Sequence, residues 1–340
     1  MIYSSSYVWA EYKYNDAFKY IKHQLIFAII GIIIINIIVK IDSNIFYKKS
    51  NLILLICIIL LILVAIPGIG VVRNGSRSWF GIGAFGIQPS EAAKLGMIIF
   101  TAKYLSKNKK AYKDLKTGIL PILFILLIVF GLIMLQPDFG TGVILALSII
   151  ILLFISGADM KYFYLLGIIG VIGAVALIII APYRMERIIS YLDPWKDPLG
   201  TGFQIIQSLY AIGPGGLLGQ GFLNSRQKHF YLPEPQTDFI YAIICEEFGI
   251  FGALLVIILF LILCYSGIKI ALKEEDLFKK YVIFGIIFQI IFQTILNLSV
   301  VTGLIPVTGV TLPFISYGGS SLLISMASIG IILNLSKNSN

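Results

Sequence analysis

Charged side chains are scarce in this chain of 340 residues: only 13% are Asp, Glu, Lys or Arg. Soluble domains keep about a quarter of their residues charged, so a water-soluble globular protein is excluded. Cysteine and histidine are rare as well, with three and two copies. Cys57, Cys245 and Cys264 all lie in apolar runs, an odd number in places that argue against disulfides and against a zinc site. Neither an HExxH nor a CxxC spacing occurs. Acids number 17 against 26 Lys and Arg, but the lysines cluster in short stretches between apolar runs. That placement orients a membrane protein; it does not describe a nucleic-acid surface.

What the chain has instead is apolar length: 58% of it is hydrophobic. Runs able to cross a bilayer fall at about 24–41, 51–69, 90–105, 117–135, 140–157, 162–182, 239–265, 281–304 and 317–335. The third is short and carries Glu91 and Lys94. These nine runs predict an all-α polytopic membrane protein, one domain over 1–340, with a large loop at 183–238 between the sixth and seventh spans.

Lysine and arginine set the orientation. Fifteen of them fall in 40–50, 103–116 and 266–280 or are Lys161 and Lys337, against two in 70–87, 136–139 and 305–316 together. The first set is predicted to be cytoplasmic, with the C-terminus, and the loop 183–238 extracellular.

Polar residues gather in 73–94, 136–142, 183–238 and 302–321, all on the predicted outer side. The Gly, Pro and Ser of the last segment predict broken or re-entrant backbone. Gln289, Gln293 and Asn297 recur every four residues and form one stripe, suited to interhelical hydrogen bonds or to a substrate path. Glu91 and Lys94, three apart after Pro89 and Ser90, are expected to pair, because either charge alone is costly near lipid. The pair reads as structural, with a catalytic role as the alternative. Asp238 stands at the outer end of the seventh span, either as a helix-dipole acid or as a functional one. Glu246 lies about 12 Å deeper on a helix. Glu246 and Glu247 are expected inside the bundle, so the three acids do not form one metal cage. Trp79 beside Arg77 suits an interfacial anchor or a platform for a sugar or lipid headgroup. Arg184, Arg187, Arg226 and Lys228 stud the long loop, where they would meet anionic headgroups or pyrophosphate.

Five stretches in order carry a resemblance: "NGSRSWFGIGAFGIQPSEAAKL", "QPDFGTG", "YLDPWKDPLGTGFQIIQSLYAIGPGGLLGQG", "FYLPEPQTDFIYAIICEEFG" and "PVTGVTLPFISYGGSS". Together they resemble the SEDS family of cell-wall membrane proteins (FtsW, RodA, SpoVE) over nearly the whole chain. "VRNGSRSW" and "APYRMERI" look closer to the FtsW and SpoVE branch. "MIYSSSYVWA" resembles the end of that family's first helix, so the chain is expected to lack one of the family's ten spans. About 20 or more apolar residues are expected upstream of Met1.

The resemblance implies a peptidoglycan glycosyltransferase. It would polymerise lipid II, an undecaprenyl-pyrophosphate-linked disaccharide-peptide, at the outer face of the bacterial cytoplasmic membrane during division or sporulation. It also implies a class B penicillin-binding protein, the transpeptidase, as partner, within the divisome or spore-cortex machinery. By motif, Asp238 becomes the catalytic acid, Trp79 a required aromatic, and Glu91 with Lys94 the family's buried pair. Joining a sugar hydroxyl to an anomeric carbon that bears pyrophosphate needs a base and positive charge for the leaving group. An outer-loop arginine or a divalent cation is expected to supply that charge; no other cofactor is called for. A lipid II flippase and a scaffold that recruits the transpeptidase are the rival readings. A flippase would want internal repeats, which the chain does not show.

Overall fold

The nine apolar runs all become helices in the computed structural model, which describes residues 1–73, 75–82, 85–107, 114–180 and 182–338. The helices are α1 (Ile2–Tyr14), α2 (Lys19–Lys40), α3 (Asn44–Ala65), α4 (Pro89–Lys107), α5 (Leu120–Met134), α6 (Phe139–Ile155), α7 (Met160–Ile180), α8 (Pro182–Leu192), α9 (Phe203–Ile212), α10 (Ile240–Lys273), α11 (Leu277–Val301) and α12 (Gly319–Leu335). Among the described residues, α2, α3, Leu115–Met134, α7, α10 and α11 are long and apolar enough to cross a membrane. Helices α6 and α12 are apolar but shorter, and α4 carries Glu91, Lys94, Lys103 and Lys107 along its 19 residues. The Lys-rich stretch 108–113 lies outside the described residues.

Two predicted loops are more ordered than their composition suggested. Strands β1 (Val71–Arg73), β2 (Ser76–Ile82) and β3 (Phe85–Ile87) form a three-stranded antiparallel sheet in the order β1-β2-β3. Val71 pairs with Trp79 and Phe80 with Ile87, so aromatic and β-branched residues set the register. The segment 183–238 contains α8 and α9, joined by a short turn at Pro194–Lys196.

The chain divides into two compact units. One comprises Met1–Leu25, Lys161–Leu261 and Gln293–Gly318; the other comprises Ile26–Met160, Ile262–Phe292 and Gly319–Asn340. Within the second unit, α4 is the central helix, burying Ala93, Met97, Ile98, Ile99 and Ala102. On α2 and α3, by contrast, Leu25, Ile29, Ile32, Ile33, Leu52, Leu55 and Ile59 are exposed. Apolar side chains turned outward along helices of spanning length are what lipid contact demands. Asn334 of α12 ties the end of α2 by donating to the carbonyls of Ile38 and Ile41 at 2.9 and 2.6 Å.

Within the first unit, α10 is broken at Gly249, whose backbone (φ 60°, ψ −153°) is not helical. The turn 216–221 satisfies the groups that the break would leave unpaired. Gln220 and Gly221 donate backbone N–H to the carbonyls of Glu246 and Glu247 at 2.9 and 3.0 Å, and Ile250 donates to Gly216 at 2.9 Å. Only glycine fits at 249. Its φ is left-handed, and a Cβ would sit 2.5 Å from both the Gly219 nitrogen and the Leu217 oxygen.

Candidate functional site

Asp238 occupies the turn just before α10 and is half-buried. Its backbone is fixed from α11: Asn297 Nδ2 donates to the Asp238 carbonyl at 2.8 Å and to the Val310 carbonyl at 2.7 Å. Gln293, one turn earlier, donates to the Thr311 carbonyl at 3.0 Å. Gln293 and Asn297 of the α11 stripe therefore act by hydrogen bonding, and what they hold is the irregular segment 302–318 beside Asp238. From that segment, Ser316 Oγ donates to the Thr237 carbonyl at 2.6 Å, and the Tyr317 N–H donates to Gln236 at 2.8 Å. Gly309, in the left-handed region at φ +75°, passes the carboxylate; a Cβ there would lie 3.8 Å from Asp238 Oδ2. An acid with its main chain clamped on both sides and a glycine next to its carboxylate is preorganised for contact with a substrate group.

Glu246 and Glu247 are buried, at 1% and 0% exposure, and face the turn 225–228. Glu246 accepts from Ser225 Oγ at 2.5 Å and from the Arg226 N–H at 2.7 Å. Glu247 accepts from Ser4 Oγ at 2.5 Å and from Lys228 Nζ at 2.8 Å. This corrects the placement of Lys228. It is not an outer-loop cation reaching for headgroups but a fully buried partner of Glu247, with its ammonium also 5.1 Å from the Tyr7 ring centroid. A charge this deep must be paired, and Glu247 supplies the pair. Phe230, at φ 67°, packs edge-on to Trp9 and Tyr12 of α1 with centroids at 4.9 and 5.2 Å. The segment leading to Asp238 is thus held by α1 and α10 together.

The three arginines of the same unit differ from one another. Arg184 is half-buried and donates to the Leu177 carbonyl at 2.8 Å. Arg187 is exposed and donates to the Val307 carbonyl at 3.0 Å. Arg226 is exposed, with its backbone fixed on Glu246.

In the second unit, Trp79 is half-buried on β2, and the guanidinium over its ring belongs to Arg73, 5.1 Å from the centroid. Arg77, two residues before Trp79 on the same strand, pairs with Val72 of β1. Glu91 and Lys94 are paired at 2.9 Å with side chains 8% and 1% exposed. Asp138, which the sequence reading passed over, links this corner. It caps α6 through the Thr141 N–H at 3.2 Å and accepts from Gln88 Nε2 at 2.9 Å and Ser90 Oγ at 3.3 Å. Its signal was visible as Asp three residues before Thr at the start of an apolar run. Next to it, the Gln136 carbonyl accepts from Ser76 and, at 3.1 Å, from Ser78, which anchors the strand bearing Trp79.

Lys94→Ala is expected to lower stability by about 3 kcal/mol, because Glu91 is left without its buried partner. Neutralising both residues should cost less. Thermal melting in detergent checks this; a Lys94→Ala protein that melts like the parent yet has no activity would make the pair catalytic. Among the described residues, no three His, Cys, Asp or Glu side chains form a cluster able to hold a metal ion.

An all-α polytopic membrane protein with a clamped acid before one span and buried ion pairs beneath its polar segments is the class these features define. The chain belongs to the FtsW/RodA/SpoVE family, described as cell cycle proteins, which it matches over residues 1–340. It is similar to stage V sporulation protein E of Bacillus subtilis (strain 168), 54% identical over 339 residues, covering 100% of this chain and 93% of that one. It is 40% identical over 336 residues to the probable peptidoglycan glycosyltransferase FtsW of Geobacter sulfurreducens (strain DL-1 / KN400), covering 99% and 90%. Among solved structures, a chain from a peptidoglycan synthase complex aligns with a TM-score of 0.77 at 31% identity, over 94% of this chain and 90% of its own. The expected family and fold are borne out.

Proposed function

We propose that this protein is a peptidoglycan glycosyltransferase that polymerises lipid II, with Asp238 as the base that takes the proton from the acceptor hydroxyl. The observation that carries the assignment is the setting of Asp238. Its main chain is held by Asn297, and the neighbouring Thr237 carbonyl is held by Ser316, while its carboxylate lies against Gly309. A helix-dipole acid would need none of this support. The similarity to a probable peptidoglycan glycosyltransferase supports it.

The chemistry needs little more. The acceptor oxygen attacks the anomeric carbon and lipid pyrophosphate departs, so one carboxylate suffices where the leaving group needs no protonation. Of the outer cations, Arg226 is the one with an exposed side chain on a turn fixed by Glu246, and we assign it to the departing pyrophosphate. The site faces the outer side of the cytoplasmic membrane, with the C-terminus inside. A class B penicillin-binding protein is the expected partner, supported by the similarity to a chain of a synthase complex. The similarity to stage V sporulation protein E favours spore-wall synthesis as the setting.

The test is direct. The purified chain, alone and with a class B penicillin-binding protein, is given purified lipid II, and glycan strands are resolved by gel. Strands are expected with the partner present; lipid II moved across vesicles without polymer would favour a flippase instead.

A further inference from the structure

Glu234, four residues before Asp238, is an exposed acid with a backbone that exposure alone does not explain. Its φ is 50°, in the left-handed region that residues other than glycine rarely enter. Pro235 follows it, and a proline pushes the residue before it toward extended backbone. Glycine would hold the same conformation at no steric cost, yet a long acidic side chain stands there. Such a residue persists only where its neighbours over-determine it.

Those neighbours are the residues that lead into Asp238. The Glu234 carbonyl accepts from the Thr237 N–H and from Thr237 Oγ1, both at 3.1 Å. Its carboxylate oxygen Oε2 accepts from Gln236 Nε2 and from Thr237 Oγ1, both at 3.3 Å. One residue thus closes the turn 234–237 with its main chain and its side chain together. The far edge of that turn is held separately, by Ser316 on the Thr237 carbonyl and by the Tyr317 N–H on the Gln236 carbonyl.

We infer that Glu234 is a positioning residue for Asp238: its carboxylate, as acceptor for Gln236 and Thr237, fixes the turn that aims the Asp238 carboxylate. The chemical consequence rests on the glycosyltransferase reading above. What the turn needs at position 234 is an acceptor oxygen, which glutamine also carries, so the charge itself takes no part. Without that acceptor the near side of the turn relaxes toward the extended backbone that Pro235 favours, while Asn297 and Ser316 still hold the far side. Asp238 then stays in place along the chain but loses its aim. A displacement of about 1 Å at a reacting group is enough to cost rate without costing binding.

Two readouts on the full chain in nanodiscs test this. In the first, Asp238 is labelled with a water-soluble carbodiimide and glycine ethyl ester, and its rate of modification is followed by mass spectrometry. Glu234→Gln is expected to leave that rate at the parent value, and Glu234→Ala to change it severalfold. In the second, initial rates from purified lipid II separate kcat from KM. Glu234→Ala should lose about tenfold in kcat at unchanged KM. Glu234→Gln should keep most of the parent kcat. Thr237→Val removes one donor, leaves the carboxylate, and should give a smaller loss of the same kind, so the test survives a Glu234→Ala protein that does not fold. An unchanged Asp238 labelling rate in Glu234→Ala, a Gln variant as slow as the Ala one, or a loss carried by KM would each overturn the assignment. The two readings fail separately. Strands from the parent with no response in labelling sink the positioning role alone. Labelling that responds as expected in a chain that makes no strands supports the positioning role and sinks the glycosyltransferase reading.

Discussion

Asp238→Asn is expected to cut glycan polymerisation by about 100-fold or more while leaving the protein folded. The geometry makes this substitution a clean one. The contact from Asn297 goes to the main-chain carbonyl of residue 238, and Ser316 binds the carbonyl of Thr237, so neither depends on the carboxylate. Asparagine has the same shape and is as good a residue as Asp at a helix start. What it cannot do is accept the acceptor's proton. If Asp238 served only to complement the helix dipole, Asn would be tolerated and any loss would appear as a lower melting temperature. The measurement is strand length and initial rate from purified lipid II, with melting followed in parallel. Normal strands from the Asn protein would remove Asp238 from the chemistry.

The helices were legible because a bilayer imposes length and composition together. A run such as Asn44–Ala65 has few other ways to satisfy its backbone. The irregular segment before α12 was legible for the opposite reason, since Gly303, Gly309 and Pro306 interrupt the apolar pattern. What the sequence hid is contact at long range. Gly249 looks like one more tolerated glycine in an apolar run. Its strained backbone exists because the turn 216–221 supplies hydrogen bonds from some thirty residues away. The sheet over 71–87 was hidden by its glycines and short strands, although Val71, Trp79 and Phe80 carry the preference for it. Arg73 reaches Trp79 only through strand pairing, which the sequence does not display. At Asp238 the residue itself was legible, whereas the clamp around it came from Asn297, Ser316 and Gly309, all distant in the chain.

Lys228 shows most sharply how a loop lysine can mislead, and it yields the second large effect. Lysines in loops are ordinarily solvated, which made an anionic ligand the natural reading. In the structure its side chain is fully buried and 2.8 Å from Glu247, with Ser4 Oγ on the same carboxylate oxygen at 2.5 Å. Lys228→Met keeps the length of the side chain but leaves that carboxylate uncompensated, which is expected to cost about 3–5 kcal/mol. Adding Glu247→Gln removes the unpaired charge and should restore much of the loss, a coupling that two independent sites would not show. Activity should fall with stability in the single variant, because the turn 225–228 is one end of the segment that presents Asp238. Thermal melting of the two proteins in detergent, with polymerisation measured below the melting range, separates the roles. A Lys228→Met protein that melts like the parent but no longer handles lipid II would return Lys228 to the substrate and refute the buried pair as its reason for being there.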